Sequence, residues 1–520
     1  MKITEKNIQI FFILSIILLA IYFIISAYNT QMLGEDESLY KFLGEEFSKP
    51  EPIKYFSYTF GKEIPLIQAI FVPLLSSVLF IIFGSSLVLG KIIVSIFAIL
   101  TIIIVYLIGK RYNIWYGVVS AFLLMTITYF SFYSLLFYLE VPIAFFSALV
   151  TYIILKFSDS FKKWVGIQIG TIILGIILVI TYFTKFSGLI EFIIVLVYFI
   201  SLYITSKNKN YLKNLLITVL IFIVFISPYL IRNLILYKYP FFEPINFLFK
   251  YDNSASFFLS ITPEWMAKAM STISPVTLSL NNIISSLSLV PFILSIFGIS
   301  YFLASKDKSK DEDKALFLLI VSTILFLLVF AISLLSVYTI LEYRHFSIIY
   351  PQIALLGGFF LWKLKEFKQV FTLIIVAVII FGLYTSIITV GSTSTQLKYS
   401  KPYVEGLTWI KHNTPEDSSL FTTYMGSVME YANRKKVIWT IDEFPEIMTA
   451  NDGKFIYDSL KKYNVSYILI WNPLLSEDYI IPHANLIGVF TFNFKDKIST
   501  NTNFNLIFSN SEVLIYELVL

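Results

Sequence analysis

The sequence predicts a polytopic α-helical membrane bundle of about eleven spans plus one interfacial helix, followed by a small external α/β domain. Three observations predict it. Of 520 residues, 57% are hydrophobic and only 14% are charged, against about 25% charged in soluble domains. Apolar runs of roughly 18 residues or more, enough to cross about 30 Å of hydrocarbon, recur along the first three-quarters of the chain. After residue 390 the composition returns to that of an ordinary soluble domain. Continuous runs of this kind do not alternate as barrel strands do, so backbone hydrogen bonding in lipid is met by helices.

The apolar segments are 8–28, 64–83, 87–108, 114–134, 139–157, 165–184, 187–205, 213–230, 285–304, 315–337, 345–362 and 369–390. The first follows Lys2 and Lys6 as a signal sequence does. It is too long for a cleavable one, so an uncleaved first span is expected. Basic residues mark the cytoplasmic side. They cluster at Lys2/Lys6, Lys110/Arg111, Lys156/Lys162/Lys163, Lys207/Lys209/Lys213, Lys306/Lys308/Lys310/Lys314 and Lys363/Lys365/Lys368. From residue 110 onward these clusters alternate, span by span, with loops poor in cations.

Before residue 110 the parity fails, because two apolar segments lie where an odd number of crossings is required. Segment 64–83 is the weaker span: Pro65 opens it, Pro73 interrupts it, and Ser76-Ser77 sit at its middle. It is expected to lie at the outer interface or to re-enter. Eleven crossings follow, with the amino terminus cytoplasmic and the carboxyl terminus extracellular or periplasmic. The alternative is twelve simple spans with one basic cluster misplaced.

Residues 1–390 then form a transmembrane domain with long outer loops at 29–63 and 231–284, and residues 391–520 an external domain of ordinary size. In that domain Val404–His412 and Lys454–Tyr463 read as helices, and Ser419–Thr423, Lys436–Thr440 and Ser466–Trp471 as strands. Asn464-Val465-Ser466 is an acceptor sequon of a kind common by chance. Cysteine is absent, which excludes disulfides, thiol nucleophiles and cysteine metal sites. The net charge of +5 is modest and sits beside apolar runs. That fits membrane sidedness and not nucleic-acid binding.

Charges at a membrane boundary are costly, and are paired or functional. On the expected outer side the first loop carries Glu35-Asp36-Glu37 and then Tyr40. The next outer turn has one charge, Glu140, before Val141-Pro142. The one after has Lys185, in Thr184-Lys185-Phe186-Ser187-Gly188. Arg232-Asn233 open the large loop, and Glu342-Tyr343-Arg344-His345 precede the 345–362 segment. Carboxylates accept or orient protons; lysine and arginine hold phosphate, arginine through a two-bond fork. Each has a plainer reading. Glu35 and Glu45 read as solvated loop acids, and charge alone does not set Asp36 and Glu37 apart from them. Lys185 and Arg232 also fit snorkelling to headgroups. His345 also fits a packing role. The three histidines, His345, His412 and His483, have no metal-ligand spacing.

Taken in order, these residues resemble the GT-C fold glycosyltransferases, above all protein O-mannosyltransferases and the bacterial aminoarabinose transferases of lipid A. The acidic pair followed by tyrosine matches Asp36-Glu37-Ser38-Leu39-Tyr40. The proline-led surface segment matches Pro65-Leu66, the turn and basic span Phe83-Gly84 and Lys91, and the glycine-basic-basic turn Gly109-Lys110-Arg111. The second acidic position falls on Glu140, where the family usually has aspartate with an arginine a few residues earlier; residues 131–139 hold no arginine. Thr184-Lys185, Pro228-Tyr229-Leu230-Ile231-Arg232-Asn233 and Arg344 with Pro351 match later motifs. Trp409 to Pro415 resembles the opening of domains attached to such enzymes. The likeness spans nearly the whole chain through short motifs in shared order.

The resemblance implies a dolichyl- or undecaprenyl-phosphate monosaccharide as donor and a protein, lipid or glycan acceptor on the outer membrane face. Asp36 would be the base of an inverting single displacement. Lys185, Arg232 and Arg344 would hold the departing phosphate, and Glu37 and Glu140 would orient sugar or acceptor. Tyr40, Lys91, Asn233 and His345 would complete the substrate site. No tightly bound metal is expected, although metal dependence varies among GT-C enzymes and a divalent ion stays an open alternative. A second class is a transporter or lipid flippase, in which the same charges line a route; such proteins tend to show internal repeats and broken spans near mid-membrane, whereas no repeat is found here and the key charges sit at the outer edge. A surface receptor built on residues 391–520 would leave the boundary cations unexplained.

Overall fold

The computed structural model describes residues 5–30, 35–50, 70–160, 164–237, 287–304, 318–324, 343–366, 368–396, 400–422, 428, 431–432, 437–438, 452–471 and 497–519. The expected features at Pro65-Leu66, residues 238–284, the lysine cluster 306–314, most of segment 315–337, Glu342 and His483 lie outside them. The chain divides into two compact units. The first is Met1–Thr30, Tyr40–Tyr251 and Pro275–Gln396; the second is Gln31–Leu39, Asp252–Ser274 and Leu397–Leu520.

The first unit is helical: α1 (Glu5–Asn29), α2 (Glu35–Phe47, from Tyr40 onward), α3 (Phe71–Phe83), α4 (Leu87–Lys110), α5 (Ile114–Met125), α6 (Thr128–Tyr133) and α7 (Glu140–Ser160). Then come α8 (Trp164–Thr184), α9 (Leu189–Ser206), α10 (Lys209–Tyr237), α11 (Leu289–Ala304), α12 (Tyr350–Lys363) and α13 (Lys368–Gln396). Among the described residues six helical segments are long and apolar enough to cross a membrane: 6–29, 87–110, 186–206, 209–232, 346–363 and 372–393. The chain is a multi-pass membrane protein. Its surface fits that solvent: Leu18, Leu216, Ile235 and Leu373 on α1, α10 and α13 are exposed apolar side chains, which lipid covers without cost.

The centre is α5 against α12, flanked by α4, α11 and α13. Side chains on α5 and α12 are nearly all buried. At one end α4 meets α5 through facing glycines, since a Cβ on Gly109 would lie 2.6 Å from Gly117 Cα. Arg111, in the turn between them, donates from Nη1 to the Leu155 carbonyl at 2.7 Å and so fastens that turn to α7.

Several elements add to the sequence reading or depart from it. The first loop is not merely a solvated acidic stretch, because residues 35–47 form a helix. There Glu45 accepts from Ser85 Oγ at 2.6 Å and pairs with Lys41 at 3.5 Å, so it is a pinning group and not a free acid. Segment 64–83 has its described helix only over 71–83, thirteen residues, about 20 Å long and short of the hydrocarbon thickness. Ser76 and Ser77 turn their hydroxyls back onto the Pro73 and Leu74 carbonyls. Segment 114–134 is two helices, broken at Thr126-Ile127. The carbonyl at the break, Met125, is met by Ser386 Oγ at 3.1 Å from α13, as buried backbone in lipid requires. Pro228 lies inside α10 and has no N–H for the Val224 carbonyl; Ser227 Oγ donates to it instead, at 2.9 Å.

The second unit holds α14 (Lys401–Asn413), α15 (Gly453–Lys462) and strands β1 (Leu420–Thr422), β2 (Val437–Ile438), β3 (Tyr467–Trp471), β4 (Phe504–Ser509) and β5 (Val513–Leu518). The sheet order is β2-β1-β3-β5-β4. β1 runs parallel to β2 and β3, while β5 runs antiparallel to both β3 and β4. The expected helices and three strands are present within a few residues of their bounds. The terminal hairpin β4–β5 is an addition to the sequence reading. Phe421, Ile456, Leu460, Ile468 and Tyr516 form its core. Glu512 pins the start of α14 to β3 by accepting from Ser400 Oγ and, at 3.2 Å, from Trp471 Nε1.

Candidate functional site

Glu140 is the first residue of α7, and its carboxylate lies where a helix's positive end favours negative charge. Val141-Pro142 suit the first turn, where a missing N–H costs nothing. The chain enters this helix through a turn in which Tyr138 N donates to Leu136 O at 2.7 Å. Lys185 lies on the opposing connection. It is extended (φ −158°, ψ 142°), between the end of α8 and a 3₁₀ turn, Phe186–Gly188. That turn closes by Gly188 N donating to Lys185 O at 2.8 Å. Gly188 is required there by close approach, since a Cβ would meet the Thr181 carbonyl at 2.5 Å.

These two turns bring the charges together. Lys185 Nζ donates to Glu140 Oε1 at 2.8 Å, with side chains only 12% and 3% exposed respectively. Glu140 Oε2 is buried without a hydrogen-bond partner among the described residues. Desolvating two charges offsets most of their attraction, so a buried pair is a poor device for stability alone. The ammonium has three donors, a supply suited to an oxyanion as well as to Glu140.

The other expected site residues fall as follows. Asp36 and Glu37 are in the first turn of α2, Asp36 half-buried and Glu37 fully buried, so Glu37 is no solvated loop acid. Tyr40, one turn on, is buried with its ring edge-on to Phe137 at 6.1 Å. Lys91 is fully buried on α4 and donates from Nζ to the Thr30 carbonyl, just past the end of α1, at 3.0 Å. Arg232 is half-buried near the end of α10, and Arg344 is half-buried in a 3₁₀ helix, Tyr343–Ile349, ahead of α12. Asn233 and His345 take part in those helices, with side chains outside the described set. Among the described residues no group of three or more His, Asp or Glu gathers as a metal site.

Sequence reasoning passed over a second polar contact in the same unit. Glu191, in the first turn of α9, is buried, and its Oε1 lies 2.6 Å from Ser147 Oγ on α7. A carboxylate inside the apolar run 187–205 was itself the signal.

No protein-family model matches the chain, and no curated protein matches it by sequence. Solved structures match it along nearly its whole length. The aminoarabinose transferase ArnT from Cupriavidus metallidurans in the apo state superposes with a TM-score of 0.63 at 11% identity, covering 98% of this chain and 97% of that one. The same protein bound to undecaprenyl phosphate gives 0.61 at 10%, over the same shares. The archaeal oligosaccharyltransferase AglB from Archaeoglobus fulgidus, in complex with an inhibitory peptide and a dolichol-phosphate, gives 0.60 at 13%, covering 97% of this chain and 74% of that one. The chain has the fold of the GT-C membrane glycosyltransferases, as its motif order leads one to expect.

Proposed function

We propose that this protein is a glycosyltransferase that moves a monosaccharide, hexosyl or pentosyl, from a polyprenyl phosphate carrier, dolichyl or undecaprenyl, to an acceptor on the outer membrane face. The single observation that supports this most is the contact of Lys185 with Glu140. On a GT-C fold, two charges from separate turns meet in a nearly dry setting, and a fixed cation in such a setting is suited to holding a phosphate. The amino terminus is then cytoplasmic and residues 391–520 are extracellular or periplasmic.

In the displacement, an acceptor hydroxyl attacks the anomeric carbon of the donor sugar while Asp36 accepts its proton. The bond from that carbon to the phosphate oxygen breaks, and the configuration inverts. The leaving polyprenyl phosphate is stabilised by Lys185, Arg232 and Arg344, fixed cations worth most where water is excluded. Glu37 and Glu140 orient sugar or acceptor, and Tyr40, Lys91, Asn233 and His345 complete the substrate site.

The test is sugar transfer by purified protein from a radiolabelled polyprenyl-phosphate sugar to membrane extracts of the producing cell. Transfer by the wild type, with Asp36→Asn reduced at least about a hundredfold, is the expected result. Undiminished transfer by Asp36→Asn removes the base assignment. Labelled substrate accumulating inside sealed vesicles, without transfer in detergent, would favour a transporter instead.

A further inference from the structure

Three of the proposed site residues sit on three different elements of the first unit, and each element returns to one point inside the bundle. Glu140 is on α7, which carries Ser147 seven residues later; Lys185 precedes α9, which carries Glu191 six residues later; Arg344 precedes α12, which carries Gln352 eight residues later. Those spacings are about two helical turns, on the order of 10 Å along each element.

The second residue of every pair belongs to one buried cluster. Ser147, Glu191 and Gln352 are each at most 2% exposed. Ser147 Oγ is 2.6 Å from Glu191 Oε1 and 2.5 Å from the Gln352 amide. With the amide turned to satisfy both its ends, Gln352 Nε2 donates to the Ile348 and Ile349 carbonyls at 3.0 and 3.3 Å, and Oε1 accepts from Ser147 Oγ. Those carbonyls end the 3₁₀ helix that begins with Tyr343-Arg344. This helix packs on α7 as well as on α12. One serine hydroxyl thus joins the helix bearing Glu140, the helix entered through Lys185 and the turn bearing Arg344.

We propose that Ser147, Glu191 and Gln352 form a positioning knot that fixes the separation of Lys185 and Arg344 and so sets the affinity for the donor phosphate. None of the three touches substrate in this scheme; each acts through the cation two turns away. Polar groups buried among apolar helices are costly unless fully bonded, and this cluster spends them where they lock three elements at a common depth. The proposal rests on the reading of Lys185 and Arg344 as phosphate ligands. Ser147 has one hydroxyl proton, and with that proton given to Gln352 Oε1 its contact with Glu191 is made by a donor on the Glu191 side, a part that an amide at the same position can take.

The experiment is binding of undecaprenyl phosphate to the purified full-length protein in nanodiscs. Ser147→Ala and Gln352→Leu are expected to weaken binding about tenfold, as small misplacements of preorganised groups do, while Glu191→Gln stays near wild type and Glu191→Leu does not. In an Arg344→Gln background Ser147→Ala should cost nothing further, because the two losses share one path. A role in folding alone would lower melting temperature and folded yield, leave the affinity of the folded fraction unchanged, and add to Arg344→Gln. The proposal is overturned by wild-type affinity in Ser147→Ala and Gln352→Leu, by additivity with Arg344→Gln, or by Glu191→Gln failing as badly as Glu191→Leu. If Lys185→Gln and Arg344→Gln themselves leave binding intact, the phosphate-site reading fails and the knot has nothing to position. Loss in those two with none in Ser147→Ala sinks the knot alone.

Discussion

Lys185 and Glu140, on turns 45 residues apart in sequence, form a nearly buried ion pair at 2.8 Å. Each alone is a lone charge at a helix end. Together they make a preplaced cation with a carboxylate at its side, held by Gly188 behind the lysine and by the start of α7 behind the acid.

Removing only one partner strands the other. Lys185→Met should destabilise the protein by about 3 kcal/mol, the scale for a broken buried pair, and the Lys185→Met/Glu140→Gln double variant should recover most of that loss. Thermal unfolding in detergent measures both; equal melting temperatures for single and double variants would contradict the pairing.

Gly188→Ala tests the turn that presents the lysine. An added Cβ would sit 2.5 Å from the Thr181 carbonyl, so the Phe186–Gly188 turn must shift and carry Lys185 with it. Transfer activity is expected to fall by tenfold or more, the scale for misplaced catalytic groups, while the protein still accumulates in the membrane. Full activity would show that the position of this turn does not matter.

Ser227→Ala tests how α10 tolerates Pro228. Without the Ser227 hydroxyl the Val224 carbonyl loses its donor inside an apolar helix. The cost should be about 1–3 kcal/mol, read as a lowered melting temperature, with donor affinity unchanged.

In the second unit, Glu512→Ala removes the acceptor shared by Ser400 and buried Trp471. Losing the bond from Trp471 Nε1 to Glu512 should cost about 1–3 kcal/mol. Hydrogen exchange on the full-length protein should show faster exchange in β3 and β5, with helices such as α5 and α12 unaffected.

The bundle was legible because lipid demands long apolar runs. Glu140 and Lys185 were legible for the complementary reason: a single charge in a short turn between apolar helices stands out. What escaped depends on tertiary pairing. Ser147 and Gln352 are 205 residues apart, and neither residue type departs from what a membrane helix tolerates. The break at Thr126-Ile127 has no glycine or proline, and is stabilised by hydroxyls on α6 and α13 that sequence does not place. Residues 35–47 are charged enough to read as a solvated loop, yet they fold as a helix with Glu37 and Leu43 buried. The hairpin β4–β5 was readable: an apolar stretch on each side of Asn510-Ser511 is a turn signal.

The central claim is that Lys185 and Arg344 receive the carrier's phosphate. A cryo-electron microscopy structure of the protein with undecaprenyl phosphate tests it most directly. The account predicts a phosphate oxygen within hydrogen-bonding distance of Lys185 Nζ and of the Arg344 guanidinium. A phosphate seated instead at the other end of the bundle, beside Lys110 and Arg111, with Lys185 still bonded only to Glu140, would contradict it.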